Sequence, residues 1–298
     1  MLKLRMAIHA PTTLYARVKI ANKLKGVNDY MVVRGIDGDF LQISSRSNAS
    51  YNFDIIPGSQ MSIQVVTRSV RMDSAVSITV KYHTAKIGGT VVMKTGGDMN
   101  FLDAVTMKDA SSAVTTLTYS GNEPLAITLA TQVTSTDDYA NIYFIDGTVT
   151  NQTKVYDMRK VASYAIVTRT NFLTIVRMDE KPAQLVLNTA EEVEQFHSLQ
   201  SSTVTNEPKV HGLNGVNHFN IYTTGMEFVN FDSTGIIMDN LEIKRANCLA
   251  YVLSGPPNNA SQLLLNLTSK PIMPYRFNVK YFTVYENDCN LSFSIRSF

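Results

Sequence analysis

The sequence predicts an all-β protein of antiparallel sandwiches. Three observations carry that reading. Apolar and polar residues alternate with period two, tight-turn residues separate the alternating runs, and helical spacing is scarce. Alternation is what a strand with one buried face requires, because successive side chains point to opposite sides of a sheet.

The runs can be followed along the chain. Met61-Ile63-Val65 alternates with Ser62 and Gln64, and Val76-Ile78-Val80-Tyr82 with Ser77, Thr79 and Lys81. Leu125-Ile127-Leu129 and Ile142-Phe144 complete the first half. The second half offers Phe219-Ile221, Leu241-Ile243, Leu249-Tyr251-Leu253, Leu263-Leu265-Leu267, Phe277-Val279-Tyr281 and Leu291-Phe293-Ile295. Asp37-Gly38 sits between Val32-Val33 and Phe40-Leu41-Ile43, and Asp146-Gly147 follows Ile142 to Ile145. Asp-Gly supplies the positive φ of a tight hairpin turn. Pro57-Gly58, Gly88-Gly89, Gly96-Gly97 and Gly255-Pro256-Pro257 mark further turns.

Two short helices are expected. Thr189-Ala190-Glu191-Glu192 is a capping box, followed by Val193, Phe196 and Leu199, which places a helix near 190–199. Asn100 to Met107 reads as the second, with Asn100 as N-cap. Leu14 to Leu24 fits a helix through Leu14, Val18 and Ala21, and a strand through Tyr15, Arg17 and Lys19.

Roughly 14–16 strand candidates exceed the seven to nine of one small sandwich. The chain is therefore divided into an N-terminal sandwich over 1–158 and a C-terminal sandwich over 159–298. The polar stretch Thr150 to Lys160 is the preferred junction, and Ser198 to Asn217 the alternative. No internal sequence repeat is evident, so any duplication is structural.

Composition narrows the function. Charged residues are 17% of the 298, and Ser, Thr and Asn together make up about a quarter. An ordinary soluble domain carries about 25% charged residues. Weakly charged polar faces lose less on desolvation, which suits surfaces buried in assembly. The net charge of +2 is too small to mark the whole chain as a nucleic-acid binder. Residues 1–34 nevertheless carry Lys3, Arg5, Arg17, Lys19, Lys23, Lys25 and Arg34 against Asp29 alone. This basic N-terminal arm is a candidate contact for nucleic acid or an acidic partner, in competition with a solvated edge whose lysines discourage strand pairing.

Catalytic signatures are missing. No G-x-G-x-x-G, P-loop or G-x-S-x-G occurs, and Lys94-Thr95-Gly96 lacks its S-x-x-K partner. Neither Cys248 nor Cys289 has a C-x-x-C neighbour, and no H-E-x-x-H is present. No metal or other cofactor is expected. The two cysteines read as buried thiols in a reducing compartment, with a disulfide left open to geometry. His211 and His218 flank a glycine-containing loop, while Asp137-Asp138 and Asp37-Gly38-Asp39 offer carboxylates. Loop histidines and plain turn chemistry account for all of these. No apolar run reaches the roughly 20 residues of a membrane helix. The N-terminus lacks the apolar core of a secretory signal.

Many short strands, long Ser/Thr/Asn-rich loops, no catalytic motif and a basic N-terminal segment make the chain resemble jelly-roll virion structural proteins in architecture, without a diagnostic motif. The resemblance implies a non-enzymatic capsid, vertex or cementing subunit. Copies of itself and other capsid proteins would then be its partners, and Lys3 to Lys25 would face the particle interior. It also implies synthesis in the host cytoplasm and residence in the virion. The alternative is a receptor- or carbohydrate-binding sandwich, for which Tyr139, Tyr156 and Tyr275 are the loop-like aromatic candidates. The absence of Trp weighs against a lectin.

Overall fold

The structure is a computed structural model and describes residues 2–47, 49–68, 74–109, 111–131, 142–163, 165–178, 183–214, 223–232 and 235–298. Strands dominate, and the sheets sort into three facing pairs, each closed over its own core.

The first sandwich contains β1 (Leu2–His9), β2 (Leu14–Lys23), β3 (Tyr30–Arg34), β4 (Phe40–Ser44), β5 (Ser50–Ile55), β6 (Gln60–Thr67) and β7 (Ala75–Thr84). Sheets β1-β6-β3-β4 and β5-β2-β7 enclose Ile8, Val18, Ile20, Met31, Ile55, Met61 and Ile63. The ambiguous Leu14 to Leu24 is strand β2. Ala16, Val18 and Ile20 are buried while Arg17, Lys19 and Lys23 are exposed, a period of two that a helix would break. Asp37-Gly38 turns β3 into β4, with Gly38 at φ +85°.

The second sandwich is built from β8 (Thr90–Val92), β9 (Asn100–Asp103), β10 (Thr115–Ser120), β11 (Leu125–Leu129), β12 (Ile142–Gly147), β13 (Gln152–Asp157), β14 (Ile166–Val167), β15 (Phe172–Arg177) and β16 (Gln184–Thr189). Helix α1 (Met158–Ser163) links β13 to β14, and α2 (Ala190–Glu194) leaves β16. The third comprises β17 (Ser198–Thr203), β18 (Lys209–Leu213), β19 (Thr223–Val229), β20 (Ile236–Ile243), β21 (Leu249–Leu253), β22 (Leu263–Asn266), β23 (Tyr275–Phe277), β24 (Tyr281–Asn287) and β25 (Leu291–Ser297).

The three share one topology. Strands lie side by side in the orders β1-β6-β3-β4, β10-β15-β12-β13 and β19-β24-β21-β22. The facing sheets run β5-β2-β7, β14-β11-β16 and β23-β20-β25. The second sandwich adds β9 antiparallel to β16 and β8 parallel to β10. The third adds β18 antiparallel to β25 and β17 parallel to β19. With β9 or β18 in place, two facing four-stranded sheets have the strand order of a jelly roll. The first sandwich has the same arrangement without either additional strand.

Three sequence expectations therefore change. The junction placed at Thr150 to Lys160 lies inside the second core, since Tyr156, Met158 and Val161 pack there with Phe144 and Ile175. The alternative stretch beginning at Ser198 is where β17 opens the third sandwich. Asn100 to Met107 is not a helix. Asn100–Asp103 pairs with β16, and only Ala104–Met107 coils, as one 3-10 turn in which the Val105 N–H donates to Asp103 Oδ1 and the Ala104 N–H to the Ala183 carbonyl. The capping box at Thr189 forms with both hydrogen bonds, but α2 stops at Glu194 and Leu199 is already in β17.

Apolar contacts join the sandwiches. Tyr15, Ile56 and Ala85 of the first pack on Ile145, Val155 and Val176 of the second. Met99, Ala130 and Val186 of the second meet Val229 of the third. Within that second junction lies a fully buried carboxyl, Glu227. It accepts hydrogen bonds from Asn188 Nδ2 at 3.1 Å and Ser201 Oγ at 2.8 Å, and Ser201 in turn touches Thr128 at 2.5 Å. Burial pushes the Glu227 pKa up to about 7 against these hydrogen bonds. Cys248 and Cys289 form a disulfide, replacing the expected thiols, and tie the start of β21 to the β24–β25 turn.

Candidate assembly surfaces

The basic residues near the N-terminus are not a free arm. Lys3 and Arg5 lie on β1, and Arg17, Lys19 and Lys23 on β2; Lys25 follows β2, its backbone N–H bonded to Ser74 Oγ at 3.1 Å. Strand parity puts Lys3 and Arg5 on the outer face of one sheet and Arg17, Lys19 and Lys23 on the outer face of the other. The structure therefore separates the predicted cluster into two.

It also enlarges one of them. Arg17 stands directly opposite Lys81 of β7, and His83 of β7 stacks on Tyr15 at 5.0 Å. Like charges directly across a ladder are destabilising, so the β5-β2-β7 face carries a repulsion that folding alone does not favour. Asp54 offsets part of it, with its Oδ1 at 3.6 Å from Arg17 Nε. Burial raises the Asp54 pKa, and Arg17 and His83 pull it back. Lys81 lies far from residues 1–34 in sequence. Its signal was the alternation Val76-Ile78-Val80-Tyr82, which fixes Lys81 on the outward face once β7 pairs with β2. Over residues 1–85 the chain holds eleven Lys and Arg against five Asp.

The other candidates disperse. Tyr156 is buried in the second core under Lys154, whose Nζ lies 4.6 Å from the ring centroid, and offers no face to a sugar. Tyr275 is half-buried against Phe277 at 4.8 Å, and Tyr139 lies outside the described residues. His211 is a core residue edge-on to Phe228 at 4.8 Å, and burial lowers its pKa to about 4. His218 and Asp137-Asp138 lie outside the described residues. Asp37 and Asp39 flank Lys160 Nζ at 3.6 and 3.3 Å, so that pair is an ion-pair turn. Among the described residues no three His, Cys, Asp or Glu side chains gather as a metal site, and no helix is long and apolar enough to cross a membrane.

Most exposed large apolar side chains lie on strands at sheet edges; the exceptions are Phe172 of β15 and Leu249 of β21 on interior strands, and Val27, Ile87, Val105, Ile272 and Phe298 outside the strands. Leu4 and Met6 lie on β1, Phe40 and Leu41 on β4, and Tyr82 on β7. Val91 and Val92 lie on β8, Val167 on β14, Val210 on β18 and Leu263 on β22. Each of these strands ends its sheet. All three sandwiches therefore present apolar edges, where unpaired backbone groups and uncovered side chains coincide.

Comparison with protein-family models and with curated proteins finds no match. Among solved structures, the chain is similar to the CUB1-EGF-CUB2 domains of rat MASP-1, at 8% identity and TM-score 0.24, over 70% of this chain and 100% of that one. The same region of human MASP-1/3 gives 11% identity and TM-score 0.24, over 63% and 93%. A structure described as the triple jelly roll fold and turret assembly in an archaeal virus gives 10% identity and TM-score 0.25, over 99% and 82%. Likenesses this distant carry no argument about activity.

Proposed function

We propose that the chain is a non-enzymatic structural subunit of a large assembly, a virion capsid, vertex or cementing protein held by subunit–subunit contacts. The supporting observation is the spread of exposed apolar side chains over edge strands of all three sandwiches. A ligand-binding module concentrates its exposed apolar surface at one site, whereas a lattice subunit meets neighbours on several faces. The basic β5-β2-β7 face adds a place for an acidic neighbour or nucleic acid inside such a particle.

Light scattering over a concentration and salt series tests the reading. Closed rings or larger shells are the expected species. Their loss at high salt assigns a share of the contact to the basic face, because screening shortens the reach of its charges. A strict monomer at every concentration and salt refutes the assembly reading.

A receptor- or carbohydrate-binding module is the second reading, and one observation favours it. Tyr251 and Tyr285 stack at 4.4 Å with planes 10° apart, half-buried on the third sandwich beside Phe196. Glycan-array binding that Tyr285→Ala abolishes, on a monomeric protein, would support it.

A further inference from the structure

The shared topology makes the first sandwich's omission specific. In the second sandwich β9 pairs antiparallel with β16 and carries Leu102 into the core beside Tyr119 of β10. In the third, β18 pairs antiparallel with β25 and carries Leu213 into the core beside Met226 of β19. The equivalent of β16 and β25 in the first sandwich is β7, and among the described residues nothing pairs with its outer edge. The equivalent of β10 and β19 is β1, so β1 overhangs a place that is empty of any described strand. The side chains lining that place are uncovered. Leu4 and Met6 of β1 occupy core-facing positions, opposite Val65 and Ile63, yet are 56% and 36% exposed. Val76, Ile78 and Val80 of β7 face the same core and are only half-buried, and Tyr82 is 48% exposed. The four strands β1-β6-β3-β4 face the three strands β5-β2-β7, so the overhang is one strand wide, about 4.8 Å. A second sandwich does not fit there, because its own facing sheet would meet β1. A single extended segment does.

From this geometry we infer that the place is a docking slot for one extended segment of a different subunit, alternating apolar and acidic residues, which joins β7 as an antiparallel strand. Its direction follows from β9 and β18, both antiparallel to the strands they complete. Main-chain hydrogen bonds to the open edge of β7 supply the attachment, and alternate side chains supply the selectivity. Side chains opposite Val76, Ile78 and Val80 turn inward and cover Leu4 and Met6, so that row is apolar. Side chains opposite Ser77, Thr79 and Lys81 turn outward onto the basic face, where Arg17, Lys19 and Lys23 of β2 lie beside β7. Asp54, the one carboxylate of that face among the described residues, sits on β5 at the opposite edge of the sheet. A cation across from Lys81 is destabilising and an acid favourable, so the outward row is acidic. The described strands of this chain all lie in their own sheets, and a second copy would have to open one of its cores to lend one. The donor is therefore a segment of another protein in the assembly.

This contact rests on the assembly reading and names the kind of neighbour that one edge takes. The probe is the segment Val-Glu-Ile-Thr-Val-Glu-Leu, whose residues fall opposite Tyr82 back to Val76. It is set ahead of Leu2 in the full chain, on a Gly/Ser linker as long as the Ala104–Val114 connection between β9 and β10. Linkage holds the segment at an effective concentration in the millimolar range, enough to reveal a weak strand addition. Amide hydrogen exchange is expected to slow at least about tenfold over residues 75–84 relative to the unfused chain. The same fusion with both Glu replaced by Lys is expected to protect less, and Lys81→Glu to reverse the order of the two. Leu4→Lys puts a charge on an exposed position of the inner row and is expected to abolish the protection. Circular dichroism of each variant checks that the sheets are retained. No protection in the acidic fusion refutes the slot, and equal protection by both fusions refutes its preference for acid. Protection of residues 75–84 in the unfused chain as it self-associates makes a second copy the occupant and refutes a different subunit. Light scattering of the unfused chain reads the assembly separately. An oligomer whose fused strand stays unprotected refutes the slot alone, and a strict monomer whose fused strand docks refutes the assembly reading alone.

Discussion

Reduction of the Cys248–Cys289 bond is expected to destabilise the third sandwich selectively. The two cysteines are 41 residues apart in sequence, and the loop they close contains β21, β22, β23 and β24, four of the nine strands. In the chain-entropy account a loop of that length withholds about 13 cal/mol/K from the unfolded chain, or about 4 kcal/mol at 25 °C. That is a large share of the 5–15 kcal/mol that holds a typical domain together. A sandwich of about 100 residues loses roughly 4–8 °C of melting temperature per kcal/mol, so the shift should be at least about 15 °C. The clean perturbation is Cys248→Ser. Cys289 is fully buried and stays behind as a small apolar thiol, whereas Cys248 is only half-buried. Thermal and urea unfolding followed by circular dichroism would show one transition moving while the others hold. Hydrogen exchange would assign the moving transition to residues 198–298. A shift below about 1 kcal/mol, or one shared equally by all three sandwiches, would refute the argument that the bond acts by restricting this loop.

Two further outcomes follow from the charged groups. Glu227 has its pKa raised from 4.5 to about 7, so the folded chain keeps a proton that the unfolded chain releases. Its contribution is fully present below pH 4.5 and is lost as pH rises towards 7, a change of about 3 kcal/mol. Glu192 is the charged neighbour acting on it, and its repulsion has the same sign. Glu227 Oε1 and Asn188 Oδ1 are both buried without a hydrogen-bond partner, and protonation gives the carboxyl an O–H donor where the carboxylate has only acceptors. Glu227→Gln supplies a donor at every pH and leaves His211, whose lowered pKa makes stability rise with pH up to about 6.5. Measured by urea unfolding, the variant's stability should therefore rise relative to the native protein's between pH 4.5 and 8 by about 3 kcal/mol. The same pH dependence in both proteins would remove Glu227 as the cause. Lys81→Glu places opposite charges across β2 and β7 and should stabilise the first sandwich by about 0.2–1 kcal/mol while lowering the salt needed to elute the protein from a polyanion column. Unchanged elution would show that this face is not the basic surface the column reads.

The all-β class, the strands with strict alternation, the Asp37-Gly38 hairpin and the Thr189 capping box were legible because each depends on residues close in sequence. Leu14 to Leu24 was not, since its apolar residues satisfy both periods and only its place between β5 and β7 selects the strand. Asn100 to Met107 carried a fair N-cap, but pairing of Asn100 to Asp103 with β16 overrode it. The candidate surface was half legible. Positive charge near the N-terminus could be counted, while its division between two faces and its reinforcement by Lys81 depend on strand partners distant in sequence.

The amino-acid sequence by itself determined the local alphabet of this protein: which segments are pleated, where they turn, which side of each strand is wet, and that the first 85 residues are basic. Such properties arise from backbone sterics and from side chains within a few positions of one another. The tertiary structure decided how many cores the chain divides into, that Cys248 reaches Cys289, that Glu227 is buried at the junction of two sandwiches with its pKa pushed up, and that among the described residues β7 ends its sheet. Those outcomes turn on which strands come to lie beside which, and alternation of period two records the face of a strand but not the identity of its neighbour.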